Sequence, residues 1–315
     1  MGSGSLLGVR ALITGASGFV GRHLVPRLRD EGYEVEATDR ELDVTDVSAL
    51  SARMAAVRPE VIVHLAAQSS VPSSWKSPEL TYRINYLGSR SILEATATAA
   101  PEARLLVIGS SDEYGSAEPG ASHFTEASPL RPQSPYARTK TAADLLAARY
   151  ADRGLDVVRV RPFNHTGPGQ APDFVLASFA KQVAEIEGHL REPVLRVGNL
   201  GSVRDFLDIG DVIDAYLSLL HRGVPADVYN VASGVGTPVG EHLHTLLDLA
   251  GLHPSIEVDP ERIRPADFSV GDATRLRRAT GWKPQAPIAG TLERTLDYWR
   301  EQIRAIQSSP KASRP

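Results

Sequence analysis

The chain of 315 residues contains no cysteine, which removes disulfide frameworks, thiol nucleophiles and cysteine-based zinc sites from consideration. It also lacks any apolar run long enough to span a bilayer. Its arginines are spread out rather than gathered into a basic patch, and the formal net charge is -4, so neither nucleic acid nor membrane is expected as a partner. The nine histidines are scattered without ligand spacing, and no metal site is expected. The opening Met1-Gly2-Ser3-Gly4-Ser5 has neither a charged n-region nor an apolar h-region, which reads as a ragged or vector-derived start on a cytoplasmic protein.

What is present is an ordinary balance of 42% hydrophobic and 23% charged residues, enough to bury one large core and a second lobe. Strand-like runs over 10–14, 34–38, 61–65, 105–108 and 156–161 alternate with amphipathic stretches. That alternation predicts an α/β fold, a doubly wound parallel sheet of Rossmann type, with ligands at the carboxyl ends of the strands. After Arg161 the pattern turns to Gly- and Pro-rich segments, then to helices mixed with short strands, predicting a smaller α/β C-terminal lobe for substrate. A helix over 211–220 and a strand over 228–232 are expected to return to the first lobe. The expected division is therefore interleaved: 1–163 with 204–233, 164–203 with 234–307, and a frayed tail over 308–315.

Gly15, Gly18 and Gly21 stand at the spacing GxxGxxG between the first strand and the first helix. Gly15 permits the tight turn, Gly18 lets backbone approach a pyrophosphate, and Gly21 lets helix pack on sheet, with Ser17, Phe19 and Val20 completing the loop and the helix start. About 20 residues on, at the end of the second strand, Asp39 offers a carboxylate to a ribose diol, as NAD(H) requires. Arg40 beside it suits the 2'-phosphate of NADP(H), and both cofactors stay open. Asp43 and Val44 are placed near the adenine, and Leu65, Ala66 and Ala67 end the next strand with small side chains that leave room for a cofactor. Gln68 and Ser69 follow them, within reach of sugar hydroxyls.

Tyr136 and Lys140 lie at i and i+4 and so share one helix face. An ammonium beside a phenol favours the tyrosinate, so the Tyr136 pKa is expected to fall below its ordinary value of about 10.

The three glycines, Leu65-Ala66-Ala67 and the Tyr136–Lys140 pair resemble the extended short-chain dehydrogenase/reductase family that modifies nucleotide sugars. The segments Arg161 to Gln170, Val197 to Leu200, Val203 to Phe206, Tyr229 to Gly234 and Gly281 to Pro284 are similar to its GDP-mannose branch. The resemblance implies an NAD(P)-dependent oxidoreductase acting on a GDP-linked sugar, with Phe163 and His165 added to the cofactor site. It implies substrate contacts from Asn164, Lys181, Asn199, Arg204 and Arg264, and a homodimer joined through a four-helix bundle formed by helices near 81–100 and 136–151.

Within the segment Ser110-Ser111-Asp112-Glu113-Tyr114-Gly115, Ser110 falls where the family keeps its catalytic Ser or Thr, with Ser111 and Asp112 as further candidates. Asp112 stands where sugar 4,6-dehydratases keep the glutamate that takes the C5 proton. Its side chain is one methylene shorter, a retreat of about an angstrom that can cost about a hundredfold in rate. Reduction of the C4 ketone of a 4-keto-6-deoxyhexose is therefore expected over 4,6-dehydration or C4 epimerisation with tightly bound NAD. Glu113, read as the next residue of a strand end, is expected to face away from the site.

Overall fold

The computed structural model describes residues 8–117, 122–221, 224, 226–260 and 268–308. In chain order the first half runs β1 (Arg10–Thr14), α1 (Phe19–Asp30), β2 (Glu34–Thr38), α2 (Val47–Val57), β3 (Val61–His64), α3 (Val71–Lys76) and α4 (Pro78–Tyr82), then α5 (Gly88–Ala99), β4 (Arg104–Ile108), α6 (Pro135–Ala151) and β5 (Val157–Pro162). The second half runs β6 (Asn164–Thr166), α7 (Val175–Glu187), β7 (Val194–Val197), β8 (Val203–Asp208), α8 (Ile209–Leu220), β9 (Val228–Val231) and β10 (Gly236–Pro238). It ends with α9 (Val239–Ala250), β11 (Ser255–Val258), β12 (Phe268–Ser269), α10 (Thr274–Thr280) and α11 (Ile288–Ser308).

Six strands pair in parallel in the order β2-β1-β3-β4-β5-β9. The interior residues of β3 and β4 are buried on both faces, which explains their near-continuous apolar runs. On one face, α1 and α8 close a core containing Leu24, Leu28, Val212 and Tyr216. On the other, α2, α5 and α6 close a second core around Leu50, Met54, Ile92 and Ala147. The strand order reverses between β1 and β3, and in a doubly wound sheet the ligand crevice lies there, at the carboxyl ends.

The second lobe packs α7, α9 and α11 over β7 and its parallel partner β11. A small sheet of β10, β8 and β12, with β6 also on β8, joins this lobe to the main sheet. The expected division placed residues 204–208 in the nucleotide lobe, whereas β8 pairs only with strands of the small sheet; α8 and β9 are the elements that return. A backbone pairing of this kind leaves no mark in hydrophobic pattern. Asp205 of β8 fastens the junction, accepting hydrogen bonds from the backbone N–H of Ser233 at 2.9 Å and of Gly234 at 2.9 Å and from the Ser233 hydroxyl at 2.6 Å. Of the expected tail, Ser308 ends α11, and 309–315 lie outside the described residues.

Candidate active site

The glycine turn is built for close approach. Gly15 has φ +70°, and a Cβ there would lie 2.6 Å from the Ala66 nitrogen, so side chain and backbone conformation both exclude other residues. Gly21 is held as closely, a Cβ there meeting the Ala16 carbonyl. Gly18 is the N-cap of α1 and supplies no side-chain cap, so the first turn of the helix presents its N–H groups and positive dipole end to the crevice. These residues fit a dinucleotide, and Gly15, Gly18 and the first turn of α1 would hold its pyrophosphate.

Asp39 lies at the end of β2, its carboxylate accepting from Ser17 N–H at 2.8 Å and Arg40 N–H at 2.9 Å. The Ser17 hydroxyl and these amides hold its pKa below the ordinary value. Arg40 is exposed beside it. Asp43 is lowered too, by the Thr45 N–H and hydroxyl that it accepts at 2.9 and 2.8 Å. Val44 packs on Gly88 of α5, and Leu65 N–H donates to Thr14 O at 3.1 Å. Leu65, Ala66 and Ala67 are half-buried along the crevice floor.

Phe163 corrects an expectation. Its ring is buried in the core, stacked on Tyr114 and against Gly271, so its side chain does not face the crevice. His165 lies flat on Phe19, 6.1 Å between centroids, and its Nδ1 donates to Phe163 O at 3.0 Å. Burial lowers its pKa, which suits a neutral packing residue beside the glycine loop rather than an acid or base.

Ser134 caps α6, accepting from Ala137 N–H at 3.1 Å, with Pro135 in the first turn where its missing N–H costs nothing. The helix thus begins one residue before Tyr136 and carries Tyr136 and Lys140 on adjacent turns beside the end of β4. Lys140 is buried, donates to Ile108 O at 2.8 Å, and has its pKa lowered to about 8 by burial, opposed by the charge of Glu113. The Ser110 hydroxyl lies near the Tyr136 phenol and acts to lower its pKa. Contrary to expectation, the Tyr136 pKa is raised: burial contributes most and the Asp112 carboxylate adds to it. The Lys140 ammonium is turned to a backbone carbonyl, so it does not offset either effect.

Residues Ser111 to Glu113 form a tight helical turn rather than a strand end. The Ser110 hydroxyl caps it, accepting from Asp112 N–H at 3.1 Å, and Ser111 is buried within it. Asp112 is exposed on the side of Tyr136. Glu113, expected to point away, is fully buried beneath Ser110. Asp112 and Glu113 thus lie on different sides of the segment, with a turn of about 100° or more between them rather than the 180° of a strand.

Among the substrate candidates, Asn164 donates to Asp205 O at 3.2 Å at the junction of the lobes. Arg204 is half-buried on the same strand as Asp205, which is committed to Ser233 and Gly234; the two alternate across β8. Gln68 is held through its backbone, Ser69 is exposed, and neither side chain is tied to the cofactor loop. Lys181 pairs with Glu185 at 3.5 Å and lies over the Trp299 ring, within the second lobe. The Asn199 side chain likewise closes its own turn, accepting from Gly201 N–H at 2.9 Å. Arg264 lies outside the described residues.

Asn85 escaped the sequence reading. It is buried in the wider helical turn Arg83–Leu87, accepts from Gln68 N–H at 2.8 Å, and donates to Gln68 O at 3.0 Å and Thr139 Oγ1 at 3.1 Å. It thereby ties the loop after β3 to the helix that carries Tyr136. An asparagine inside a helical pattern, where it is locally unfavourable, was the available signal.

A parallel doubly wound sheet, a glycine cradle at its switch point and a Ser–Tyr–Lys cluster beside it define a dinucleotide-dependent oxidoreductase scaffold. The chain belongs to the NAD dependent epimerase/dehydratase family, whose model matches residues 11–232. It is 36% identical over 94% of its length to the GDP-6-deoxy-D-mannose reductase of Pseudomonas aeruginosa, covering 98% of that protein. It is 30% identical to GDP-mannose 4,6 dehydratase 2 of Arabidopsis thaliana, over 91% of this chain and 86% of that one. The Pseudomonas aeruginosa RMD complexed with NADPH superposes with a TM-score of 0.84 at 36% identity, over 93% of this chain and 99% of the other. The Thermus thermophilus UDP-glucose 4-epimerase complexed with NAD gives 0.82 at 30% identity, over 92% and 99%.

Proposed function

We propose that the protein reduces the C4 ketone of a GDP-linked 4-keto-6-deoxyhexose, most closely GDP-4-dehydro-6-deoxy-D-mannose, to the corresponding alcohol, GDP-D-rhamnose. When bound, NAD(P)H supplies the hydride. Tyr136 gives its proton to the developing alkoxide at C4, and its raised pKa keeps the phenol protonated until that charge develops. Ser110, near the same phenol, donates to the reacting oxygen and holds it in register. Lys140 binds the nicotinamide ribose, and Asn85 keeps the floor of the site fixed to α6.

The observation that carries reduction over dehydration is Asp112. A dehydratase needs a carboxylate reaching C5, whereas a reductase needs none; an exposed, shortened acid beside Tyr136 serves the second and is too short for the first. The similarity to a curated GDP-6-deoxy-D-mannose reductase over nearly the whole of both chains supports the same reading. Asp39 and Arg40 together support the use of either NADH or NADPH, Arg40 for a 2'-phosphate and Asp39 for a free ribose diol.

The protein is further proposed to be a cytoplasmic homodimer. Leu80 and Tyr82 on α4 and Leu145 on α6 are 43%, 48% and 53% exposed on helices that pack together, a face suited to a second copy.

The decisive experiment incubates the protein with GDP-4-dehydro-6-deoxy-D-mannose and NADH or NADPH, following absorbance and product. Stoichiometric cofactor oxidation with formation of a 6-deoxyhexose is the expected result. Turnover of GDP-mannose alone, with no net oxidation, would replace the reductase reading with a dehydratase.

A further inference from the structure

We propose that Glu113 is a positioning residue for the reduction: its buried carboxyl group holds Ser110 from behind and, once ionised, places a negative charge near Lys140. The proposal rests on the roles of Ser110, Tyr136 and Lys140 given above.

Glu113 Oε1 accepts from Ser110 N–H at 2.8 Å, while the Ser110 hydroxyl caps the turn that contains Glu113. The two residues therefore fix each other, and the direction of the Ser110 hydroxyl follows from the placement of Glu113. The carboxylate occupies the space a side chain at Gly109 would need, so the backbone entering the site is shaped around it.

Its surroundings are charged on every side. Arg161 of β5 lies 3.3 Å away through Nε, but this guanidinium directs its short hydrogen bond, 2.6 Å, to Asp144 of α6. Arg159 of β5 also reaches Asp144, at 3.3 Å. Through Nη1, Arg161 further donates to the Tyr114 hydroxyl at 3.1 Å and to Glu126 O at 3.3 Å. From α6, Lys140 and Tyr136 feel the Glu113 charge, and His64 of β3 stands beside Lys140. Tyr114 in turn bonds Asn230 of β9. Two buried carboxyl groups thus share Arg161, and Asp144 has the better geometry. Glu113 is the one left to hold a proton: burial, and then Asp144, push its pKa up to about 8.

The consequence is confined to alkaline pH. While Glu113 is protonated it exerts no net charge, and an amide would serve as well. Once it ionises, it favours the cation of Lys140 and disfavours the tyrosinate of Tyr136. The second effect preserves the protonated phenol that reduction consumes, and the first keeps Lys140 charged.

Glu113→Gln keeps an oxygen for the Ser110 amide and removes the ionisable group. Its kcat/KM profile for the keto sugar is expected to coincide with wild type below about pH 7. Above about pH 8 its alkaline limb should fall about one unit earlier. Glu113→Leu, lacking the acceptor as well, should lose about tenfold or more in kcat with KM little changed. Superimposable profiles for wild type and Glu113→Gln would overturn the proposal even if the leucine variant fails to fold. Infrared difference spectra across the same range give a reading independent of substrate. Wild type should show the carbonyl band of a buried carboxylic acid at neutral pH, lost on alkalinisation and absent from Glu113→Gln; no such band would equally overturn the proposal. If wild type turns over no keto sugar, the functional reading fails and the spectra alone decide the state of Glu113.

Discussion

Tyr136 must stay protonated until an alkoxide forms, and its surroundings favour that state: burial and a neighbouring carboxylate both disfavour the phenolate. Tyr136→Phe removes the proton and leaves the ring, so kcat for ketone reduction should fall about 100- to 10,000-fold with little change in thermal stability. Steady-state rates beside a melting curve check both halves, and a variant retaining wild-type kcat would remove Tyr136 from the mechanism. The pairing of Tyr136 with Lys140 on one helix face was legible from spacing. The direction of the pKa shift was not, because it depends on burial and on Asp112, which only the folded chain brings near.

At the scale of elements, two joints at the strand ends carry the site. The first is the turn from β1 to α1, where Gly15→Ala would force a side chain against Ala66 in a left-handed conformation. NAD(P)H binding, followed by fluorescence titration, should be lost or weakened more than tenfold, since about 1.4 kcal/mol of distortion suffices for that factor. Unchanged affinity would show that the turn is not the cradle. The second joint is the end of β3, where His64 is buried, shares a 2.8 Å hydrogen bond with Thr14 and has its pKa lowered to about 3, by burial first and Lys140 second. An unfolded imidazole protonates near 6.5 while the folded one does not until about 3, so its contribution is complete above pH 6.5 and is lost as the pH falls through that window. The loss by pH 5 is about 2 kcal/mol. Urea unfolding of wild type and His64→Asn at the two pH values should show the smaller acid destabilisation in the variant; equal slopes would contradict the assignment.

For the whole molecule, the two lobes are held by Asp205 and by Asp211, which accepts from the backbone N–H groups of Gln285 and Ala286 at 2.8 and 3.1 Å. Substrate is thus expected between a rigid nucleotide lobe and a firmly seated second lobe. The exposed apolar residues of α4 and α6 belong to the same scale. Leu145→Glu should convert the proposed dimer to a monomer in light-scattering measurements, because a carboxylate desolvated in an apolar interface costs several kcal/mol. A wild-type monomer would dismiss that interface outright.

Strand and helix positions in the nucleotide half were readable in the chain itself, as were the glycine turn and the placing of Tyr136 and Lys140 on one helix face, whereas Ser110 was reached only through the family resemblance. Each of the readable features depends on local spacing: apolar runs ended by small residues, glycines at a strand-to-helix turn, and two side chains four residues apart. Tertiary structure alone decided the contacts between distant segments. It assigned β8 to the small sheet, turned Phe163 into the core, drew Lys181 to Trp299, and brought Asn85 against Gln68 and Thr139. It also set the protonation of the site, because burial and the sharing of Arg161 by Glu113 and Asp144 arise only when residues far apart in sequence are enclosed together.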